Sequence, residues 1–255
     1  MIIAALILTT LFLFTWWLSV KRDNYSFVDV TWSLAFAPVA TWYALSGSGW
    51  QPRRVAIAVL VSAWSLRLGS YLWARVASHH PKEDVRYAVL RQKWQANAPR
   101  AFLWFFLAQA ALVWLLMLPV YLISQQTAIS FHILEWIGLS IWALALIGEG
   151  ISDKQLATFK KTSTDSKAIC QTGLWYYSRH PNYFFQSLLW WGLFLMALPS
   201  AWGWTAIIAP LAMLHFLLNV TGIPLTEKLS LDKRGDAFRE YQRTTSAFVP
   251  WFKKK

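Results

Sequence analysis

The sequence predicts an all-α, polytopic membrane protein that forms a single integral membrane domain over residues 1–255. Of its residues, 56% are hydrophobic and only 14% are charged, whereas typical soluble domains carry about 25% charged residues. The apolar residues come in long blocks and do not alternate as in a membrane β-barrel. This apolar content excludes a disordered chain, and the presence of a single cysteine, Cys170, excludes a disulfide scaffold.

Seven apolar blocks justify the helices of this fold, because about 20 apolar residues cross about 30 Å of hydrocarbon. In chain order they are Ile2–Val20, Phe27–Leu45, Val55–Trp73, Ala101–Ile123, Phe131–Gly148, Phe184–Leu198 and Trp202–Ile223. The first block lacks the basic leader and the small-residue cleavage site of a signal peptide, so we expect an uncleaved span. The sixth is short, and its amphipathic N-terminal flank is expected to extend it. The sequence therefore predicts seven transmembrane helices.

The positions of the 24 Lys and Arg residues predict the orientation of these helices. Twenty-one lie in alternate connections or in the C-terminal tail, and only Arg53 and Arg54 lie on the opposite face. The positive-inside rule then gives an outside N-terminus and a cytoplasmic C-terminus. Two long connections, His79–Arg100 and Ile151–Asn182, share the cytoplasmic face with the tail, so a soluble cofactor would bind there.

The net charge of +12 raises the question of a nucleic-acid partner. Most of the charges flank apolar blocks, where they serve topology and contact with lipid headgroups, so we expect membrane lipids and no nucleic acid as partners. We expect a multi-pass protein of a bacterial inner membrane. The oligomeric state is left open.

Two ionisable residues lie inside predicted spans, where charges are costly. Asp29 begins the second block, and Arg67 lies well inside the third. The least costly arrangement is for them to pair or to face a shared cavity. Such a pair would either lock two helices together or serve a reaction, and both interpretations stay open.

Glu149 and Asp153, at the end of the fifth block, are four residues apart and so share one helix face. Carboxylates there can accept hydrogen bonds from a ribose or an amide, hold a metal or a basic side chain, or simply be solvated. Lys160 follows about two turns later and suits a phosphate group. We predict a cofactor contact here and no metal site.

The segment Gly173–Tyr183 opens the sixth block and is rich in polar side chains. Pro181 suits the first turn of a helix, and Ser178 could cap it. Arg179 would then stand at a helix N-terminus, where exposed N–H groups and a guanidinium favour an anion. His180 fits an acid or base as well as a headgroup or capping role.

These motifs resemble a known family over nearly the whole chain. The run from Ser178 to Tyr183, the Glu149/Asp153 pair and the closing Tyr241 and Phe248-Val249-Pro250 resemble the C-terminal half of the steroid 5α-reductase superfamily. The front half resembles the bacterial branch of unknown function called DUF1295, through Asp29-x2-Trp32, Trp64-x-Leu66-Arg67-Leu68 and Glu83-Asp84-x-Arg86-Tyr87. Arg-His-Pro-x-Tyr also occurs in isoprenylcysteine carboxyl methyltransferases.

The resemblance implies a membrane reductase that uses NADPH. Helices 1–4, over residues 1–123, would face the substrate, and residues 124–255, with helices 5–7 and an amphipathic tail, would bind the cofactor. The cofactor-binding residues that it implies are Glu149, Asp153, Lys160, Arg179, His180, Asn182, Tyr183, Gln186 and Tyr241. Gln186 stands where the family has Glu, and Trp64 where steroid reductases have a catalytic Tyr, so these departures bear on the substrate more than on the cofactor.

The implied reaction reduces a C=C bond conjugated to a carbonyl in a lipophilic, steroid-, sterol- or isoprenoid-like substrate. The cofactor carries the hydride, and the protein must supply an acid near the carbonyl oxygen. Asp29, held by Arg67, is the first candidate acid; if the two pair tightly, Asp29 is structural and Tyr87 becomes the better donor. The alternative activity is an S-adenosylmethionine-dependent membrane methyltransferase that uses the same Arg179–Tyr183 segment. A channel or lipid-binding scaffold is the non-enzyme alternative.

Overall fold

The structure, a computed structural model, describes residues 1–165 and 167–253. Lys254 and Lys255, which contribute to the basic tail, lie outside this part of the chain. The described residues form helices and no strands, with one isolated parallel bridge between Ser178 and Ser246. The predicted all-α class is therefore confirmed.

The described part of the chain consists mainly of α-helices. Their bounds are α1 Ile2–Lys21, α2 Phe27–Leu34, α3 Phe36–Ser46, α4 Gln51–His79, α5 Val85–Trp94, α6 Ala98–Leu116, α7 Leu118–Gln125, α8 Ile133–Thr162, α9 Leu174–Tyr177, α10 Pro181–Ala197, α11 Ile208–His215, α12 Ile223–Arg234 and α13 Asp236–Thr244. Short 3₁₀ turns cover Gln95–Asn97 and Gly203–Ile207, and a π-helical turn covers Phe216–Val220.

Within the described residues, five helical stretches are long and apolar enough to cross a membrane. They are Ile2–Lys21, Gln51–His79, Val85–Gln125, Ile133–Thr162 and Gly203–Arg234. The other two predicted blocks correspond to the consecutive helices α2 and α3 and to α10, which has 17 residues. Several long apolar helices indicate an integral membrane protein in contact with lipids.

Prolines divide two of the predicted spans. The second block is interrupted at Ala35, three residues before Pro38, and the fourth at Met117, two residues before Pro119. A proline lacks the N–H that would bond to the carbonyl four residues earlier, so each helical ladder is broken there. Near the first break, the Ser65 hydroxyl accepts a hydrogen bond from the backbone N–H of Ala37 at 3.3 Å.

Helices also continue beyond the apolar blocks. The fifth block was expected to end at Gly148, yet α8 runs on to Thr162. The connection His79–Arg100 was expected to be a loop, but it contains α5. Hydropathy marks where a helix leaves an apolar environment, whereas Ala, Lys, Gln and Leu sustain it in water.

The chain packs as two compact units. The first comprises Met1–Phe131 with Ser200–Gly203, and the second comprises His132–Pro199 and the chain from Trp204 onward. The first unit has an aromatic core in which Tyr25 stacks on Phe102, with ring centroids 3.6 Å apart.

In the second unit, α8 packs against α10 through facing glycines. A Cβ added to Gly192 would lie 2.8 Å from the carbonyl oxygen of Gly138, and one added to Gly138 would lie 2.5 Å from that of Gly192. Farther along α8, the ring of Phe185 lies where a side chain on Gly148 would be. This close approach brings the polar end of α8 beside the start of α10.

Candidate functional site

Two acidic side chains lie buried on one face of α8. Glu149 and Asp153 are only 2% and 7% exposed, one helical turn apart. Asn182, in the first turn of α10, donates a hydrogen bond from Nδ2 to Oδ1 of Asp153 at 3.3 Å. The two carboxylates predicted to share a face therefore do so, and the structure adds an amide from the neighbouring helix.

The turn before α10 is built around Pro181 and His180. Pro181 is the first helical residue, as predicted. The N-cap position belongs to His180 and not, as expected, to Ser178. The Ser178 hydroxyl accepts from the N–H of His180 at 3.1 Å and donates to the carbonyl of Phe248 at 2.8 Å, so it orders the turn. The ring of His180 stacks on that of Tyr183, with centroids 5.3 Å apart.

Arg179, which was predicted to contact an anion, is bound by protein groups in the structure. Nε donates to Oε1 of Glu227 at 2.6 Å, and Nη1 donates to the backbone carbonyls of Gln242, at 2.9 Å, and Thr245. The side chain is 9% exposed. Arg179 thus ties the turn before α10 to α12 and to the segment that ends α13.

Glu227, in α12, is the centre of this cluster and was missed by the sequence analysis. Besides Arg179, it contacts Nε2 of His180 at 3.2 Å, and it accepts a hydrogen bond from Nε2 of Gln242 at 2.8 Å. The available signal was a carboxylate four residues after the end of the seventh apolar block at Ile223. We define Arg179, His180, Glu227 and Gln242 as the Glu227 cluster.

Tyr241 supports the same turn from α13. Its buried hydroxyl donates to the backbone carbonyls of Trp175, at 2.5 Å, and Ser178, at 3.3 Å. Burial raises the pKa of Tyr241, so the hydroxyl stays protonated at neutral pH. These contacts give Tyr241 a positioning role in the turn.

The remaining predicted cofactor residues surround this region. Lys160 is exposed near the end of α8, seven residues after Asp153 and so about 10 Å farther along the helix axis. Gln186 is half-buried, one turn after Asn182. All the residues named for the cofactor belong to the second unit.

The first unit holds a second polar cluster, centred on Asp29 in α2. Its Oδ1 accepts a hydrogen bond from the hydroxyl of Tyr87 at 2.6 Å. Its Oδ2 accepts from Nη2 of Arg86 at 2.6 Å and from Nη2 of Arg75 at 2.9 Å. In each of these three contacts the Asp29 carboxylate is the acceptor, and two of the donors are guanidinium groups. We define Asp29, Arg75, Asp84, Arg86 and Tyr87 as the Asp29 cluster.

Arg67 was expected to hold Asp29, but the guanidinium groups recorded at Asp29 belong to Arg75 and Arg86. Arg67 lies eight residues before Arg75 in α4, about 12 Å away along the helix axis. Arg75 lies two residues beyond the third predicted block, which ends at Trp73, so its place on the continuing helix α4 was not foreseen. The signal for Arg86 was present, because it lies one residue before Tyr87.

Asp84 links this cluster to the start of α5. Its side chain accepts hydrogen bonds from the backbone N–H of Arg86, at 3.0 Å, and from the guanidinium of Arg86, at 2.9 and 3.0 Å. Burial raises the pKa of Asp84, but the hydrogen bonds and charge of Arg86 outweigh it and leave that pKa below its usual value. Asp84 is therefore both a helix cap and a counterion.

Comparison with known families identifies the chain. The family described as "Protein of unknown function (DUF1295)" matches residues 15–245. The chain belongs to the DUF1295 family. Uncharacterized protein C594.04c of Schizosaccharomyces pombe is 26% identical over 262 residues, which cover 92% of this chain and 75% of the yeast protein. No solved structure matches the chain.

The DUF1295 match includes both clusters. It extends from before Asp29 to beyond Gln242, so the residues that build each cluster lie within the family region. Because the family description gives no activity, a function for this DUF1295 protein has to be argued from its own side chains.

Proposed function

We propose that the protein is an NADPH-dependent membrane reductase that reduces a C=C bond conjugated to a carbonyl in a lipophilic substrate. The observation that carries this proposal is the buried pair Glu149 and Asp153, with Asn182 bonded to Asp153. Carboxylates in a membrane-spanning helix are costly and are by default functional candidates. The motifs around these residues resemble the steroid 5α-reductase superfamily, and we propose that DUF1295 is a branch of it.

The chemistry of these side chains fits a dinucleotide. Carboxylate oxygens accept hydrogen bonds from ribose hydroxyls and from a carboxamide, and an asparagine amide both donates and accepts. Glu149, Asp153 and Asn182 would therefore bind and orient the polar parts of NADPH. When bound, NADPH supplies the hydride.

The phosphates of the cofactor need a cation, and we propose Lys160 for this role. Arg179 was first assigned to them, but Glu227 and two backbone carbonyls already bind its guanidinium. Lys160 is exposed on the same helix as Asp153, and an ammonium group on a long flexible stem suits a phosphate. We therefore assign the phosphates to Lys160 and give Arg179 a positioning role.

For the proton, we propose Tyr87 as the donor in place of Asp29. Asp29 accepts hydrogen bonds from Tyr87, Arg75 and Arg86, so Tyr87 carries the hydroxyl proton of this cluster. In the proposed step the Tyr87 O–H would turn from Asp29 to the carbonyl oxygen of the substrate and give up its proton there. The Tyr87→Phe variant should lose turnover while it still binds NADPH.

We also propose the full predicted topology of seven spans with an outside N-terminus and a cytoplasmic C-terminus. α2 with α3, and α10, would add two spans to the five stretches that are long enough by themselves. The uneven distribution of Lys and Arg supports this orientation.

The direct test is cofactor binding by the detergent-purified protein. NADPH and S-adenosylmethionine are titrated separately, and thermal unfolding is followed, because a ligand of the folded state stabilises it by about 2.7 kcal/mol at 100 times its Kd. We expect NADPH alone to raise the unfolding temperature. A rise with S-adenosylmethionine alone would support the methyltransferase, and no rise with either ligand would refute both activities.

Matched variants test the site itself. Asp153→Asn and Asn182→Ala should abolish the NADPH-induced rise while the protein stays folded. Asp232→Asn removes the same charge from an exposed position in α12 and should keep the full rise. Equal rises in all three variants would show that the cofactor binds elsewhere.

A further inference from the structure

An exposed aromatic surface lies at the C-terminal end of the second unit. We define the aromatic patch as Tyr176, Tyr177, Trp251 and Phe252. Their exposed fractions are 43%, 40%, 68% and 73%. Large apolar side chains grouped at a surface commonly mark an interaction site.

The patch is fixed to the protein by backbone and side-chain contacts. The N–H of Trp251 donates to the carbonyl of Tyr177 at 2.9 Å, and the rings of Tyr177 and Phe252 have centroids 6.1 Å apart. Lys253 donates to Oε1 of Gln171 at 2.9 Å, and its ammonium lies 4.6 Å from the ring centroid of Tyr176. The tail is therefore held against the segment that precedes α10.

The length of α10 indicates the depth of the aromatic patch relative to the bilayer. Its 17 residues extend about 26 Å, close to the hydrocarbon thickness of about 30 Å. If α10 crosses the bilayer as proposed above, its first residue, Pro181, lies at one interface. Tyr177 comes four residues earlier, so the patch falls at the headgroup layer. This step rests on the proposed topology and not on the proposed activity.

Residue types and charge point to lipid as the occupant of this surface. Trp and Tyr are enriched at membrane interfaces, where the ring is partly buried and the polar edge stays wet. Lys253, Lys254 and Lys255 adjoin the patch in sequence, and residues 241–255 include no acidic residue. We propose that the aromatic patch inserts into the headgroup layer and that the adjoining lysines select anionic phospholipids.

The proposal predicts where a probe in the tail will lie. The full chain carries a nitroxide on Phe252→Cys in a Cys170→Ser background and is reconstituted in phosphatidylcholine vesicles with phosphatidylglycerol. Asp236→Cys is the control, because Asp236 is a tail residue of the same unit whose side chain is 92% exposed. The ratio of oxygen accessibility to nickel-complex accessibility should be several-fold higher at position 252 than at 236.

The second part of the experiment varies the charge of the lipid. In vesicles of phosphatidylcholine alone, or with Lys253→Gln, the ratio at position 252 should fall. Equal ratios at 252 and 236 would overturn insertion, and a ratio at 252 that ignores phosphatidylglycerol would overturn the choice of anionic lipid. If neither oxygen nor the nickel complex reaches position 252, protein covers the patch, and this result also overturns the proposal.

Two checks keep this test separate from folding and from activity. Trp251→Cys, labelled in the same background, should give the same result as Phe252→Cys. An NADPH-induced rise in unfolding temperature should be retained in these labelled variants, so failure of lipid contact and failure of the reductase proposal are distinguishable.

Discussion

Replacement of Asp29 by Asn tests whether the Asp29 cluster holds the first unit together. The carboxylate accepts hydrogen bonds from Tyr87, Arg86 and Arg75 at 2.6, 2.6 and 2.9 Å, and its side chain is 16% exposed. Asp29→Asn keeps the shape and one acceptor oxygen, but it removes the charge that two guanidinium groups share. Asp84 would then be the remaining carboxylate that both groups contact, with Arg75 at 3.3 Å and Arg86 at 2.9 Å, and the shorter contacts to Asp29 would lose their charge.

The expected loss of stability follows from these contacts. Breaking a buried ion pair costs about 3–5 kcal/mol, and hydrogen bonds to charged groups contribute about 1.5–3 kcal/mol each but do not add. Because Arg75 is about one-third exposed, we take the lower end, about 3 kcal/mol. In a chain of this size each kcal/mol shifts the melting temperature by about 2–4 °C, so the predicted fall is about 6–12 °C.

Thermal unfolding in detergent, followed by circular dichroism, measures this fall. Asp236→Asn is the matched control, since Asp236 is 92% exposed and its loss should change stability by less than about 0.5 kcal/mol. A double-mutant cycle with Tyr87→Phe should give a coupling energy of about 0.5–3 kcal/mol. A melting temperature for Asp29→Asn within about 1 °C of the wild type would refute a structural role and return Asp29 to the candidate acids.

Three further predictions concern packing, hydrogen bonding and pH, and thermal unfolding checks each. Gly192→Ala should destabilise by about 3 kcal/mol, because its Cβ would press on the α8 backbone, whereas Gly150→Ala, with nothing within 4 Å, should be neutral or stabilise by up to about 1 kcal/mol. Tyr241→Phe should cost about 1–3 kcal/mol, because it leaves buried carbonyls without their donor. Because the pKa of Asp84 is lower in the folded state, its ionised carboxylate stabilises the fold at pH values above the ordinary carboxyl pKa. This stability is lost as the pH falls through the folded-state pKa, so Asp84→Asn should flatten the plot of stability against pH below about pH 4.

The sequence predicted the positions of the helices well, because a helix that crosses the bilayer needs a long run of apolar residues. It could not locate the ends of helices that enter water. α8 continues 14 residues past the end of the apolar block at Gly148, since propensity and packing replace hydropathy as the determining factors there. For the same reason, the sequence did not predict that α4 continues past its apolar block to include Arg75.

In the candidate sites, the sequence identified the central carboxylates more readily than the residues that bond to them. Asp29 and Asp153 stood out because a carboxylate beside or inside an apolar block is costly. Their partners come from distant segments, as when Arg86 reaches Asp29 across 57 positions. Arg179 shows the consequence: its motif suggested a ligand, but Glu227, 48 positions away, already binds it.

In both clusters, one carboxylate accepts hydrogen bonds from several separate segments. The composition explains why such a carboxylate is important. The chain has 24 Lys and Arg residues but only 12 Asp and Glu residues, so each carboxylate is a scarce counterion. Asp29 and Glu227 each gather donors from separate segments. Loss of an exposed lysine leaves no buried carboxylate without its counterion, whereas loss of a central carboxylate removes a charged acceptor from several donors at once. Substitutions of these few acids should therefore disturb the fold more than substitutions of the many exposed cations.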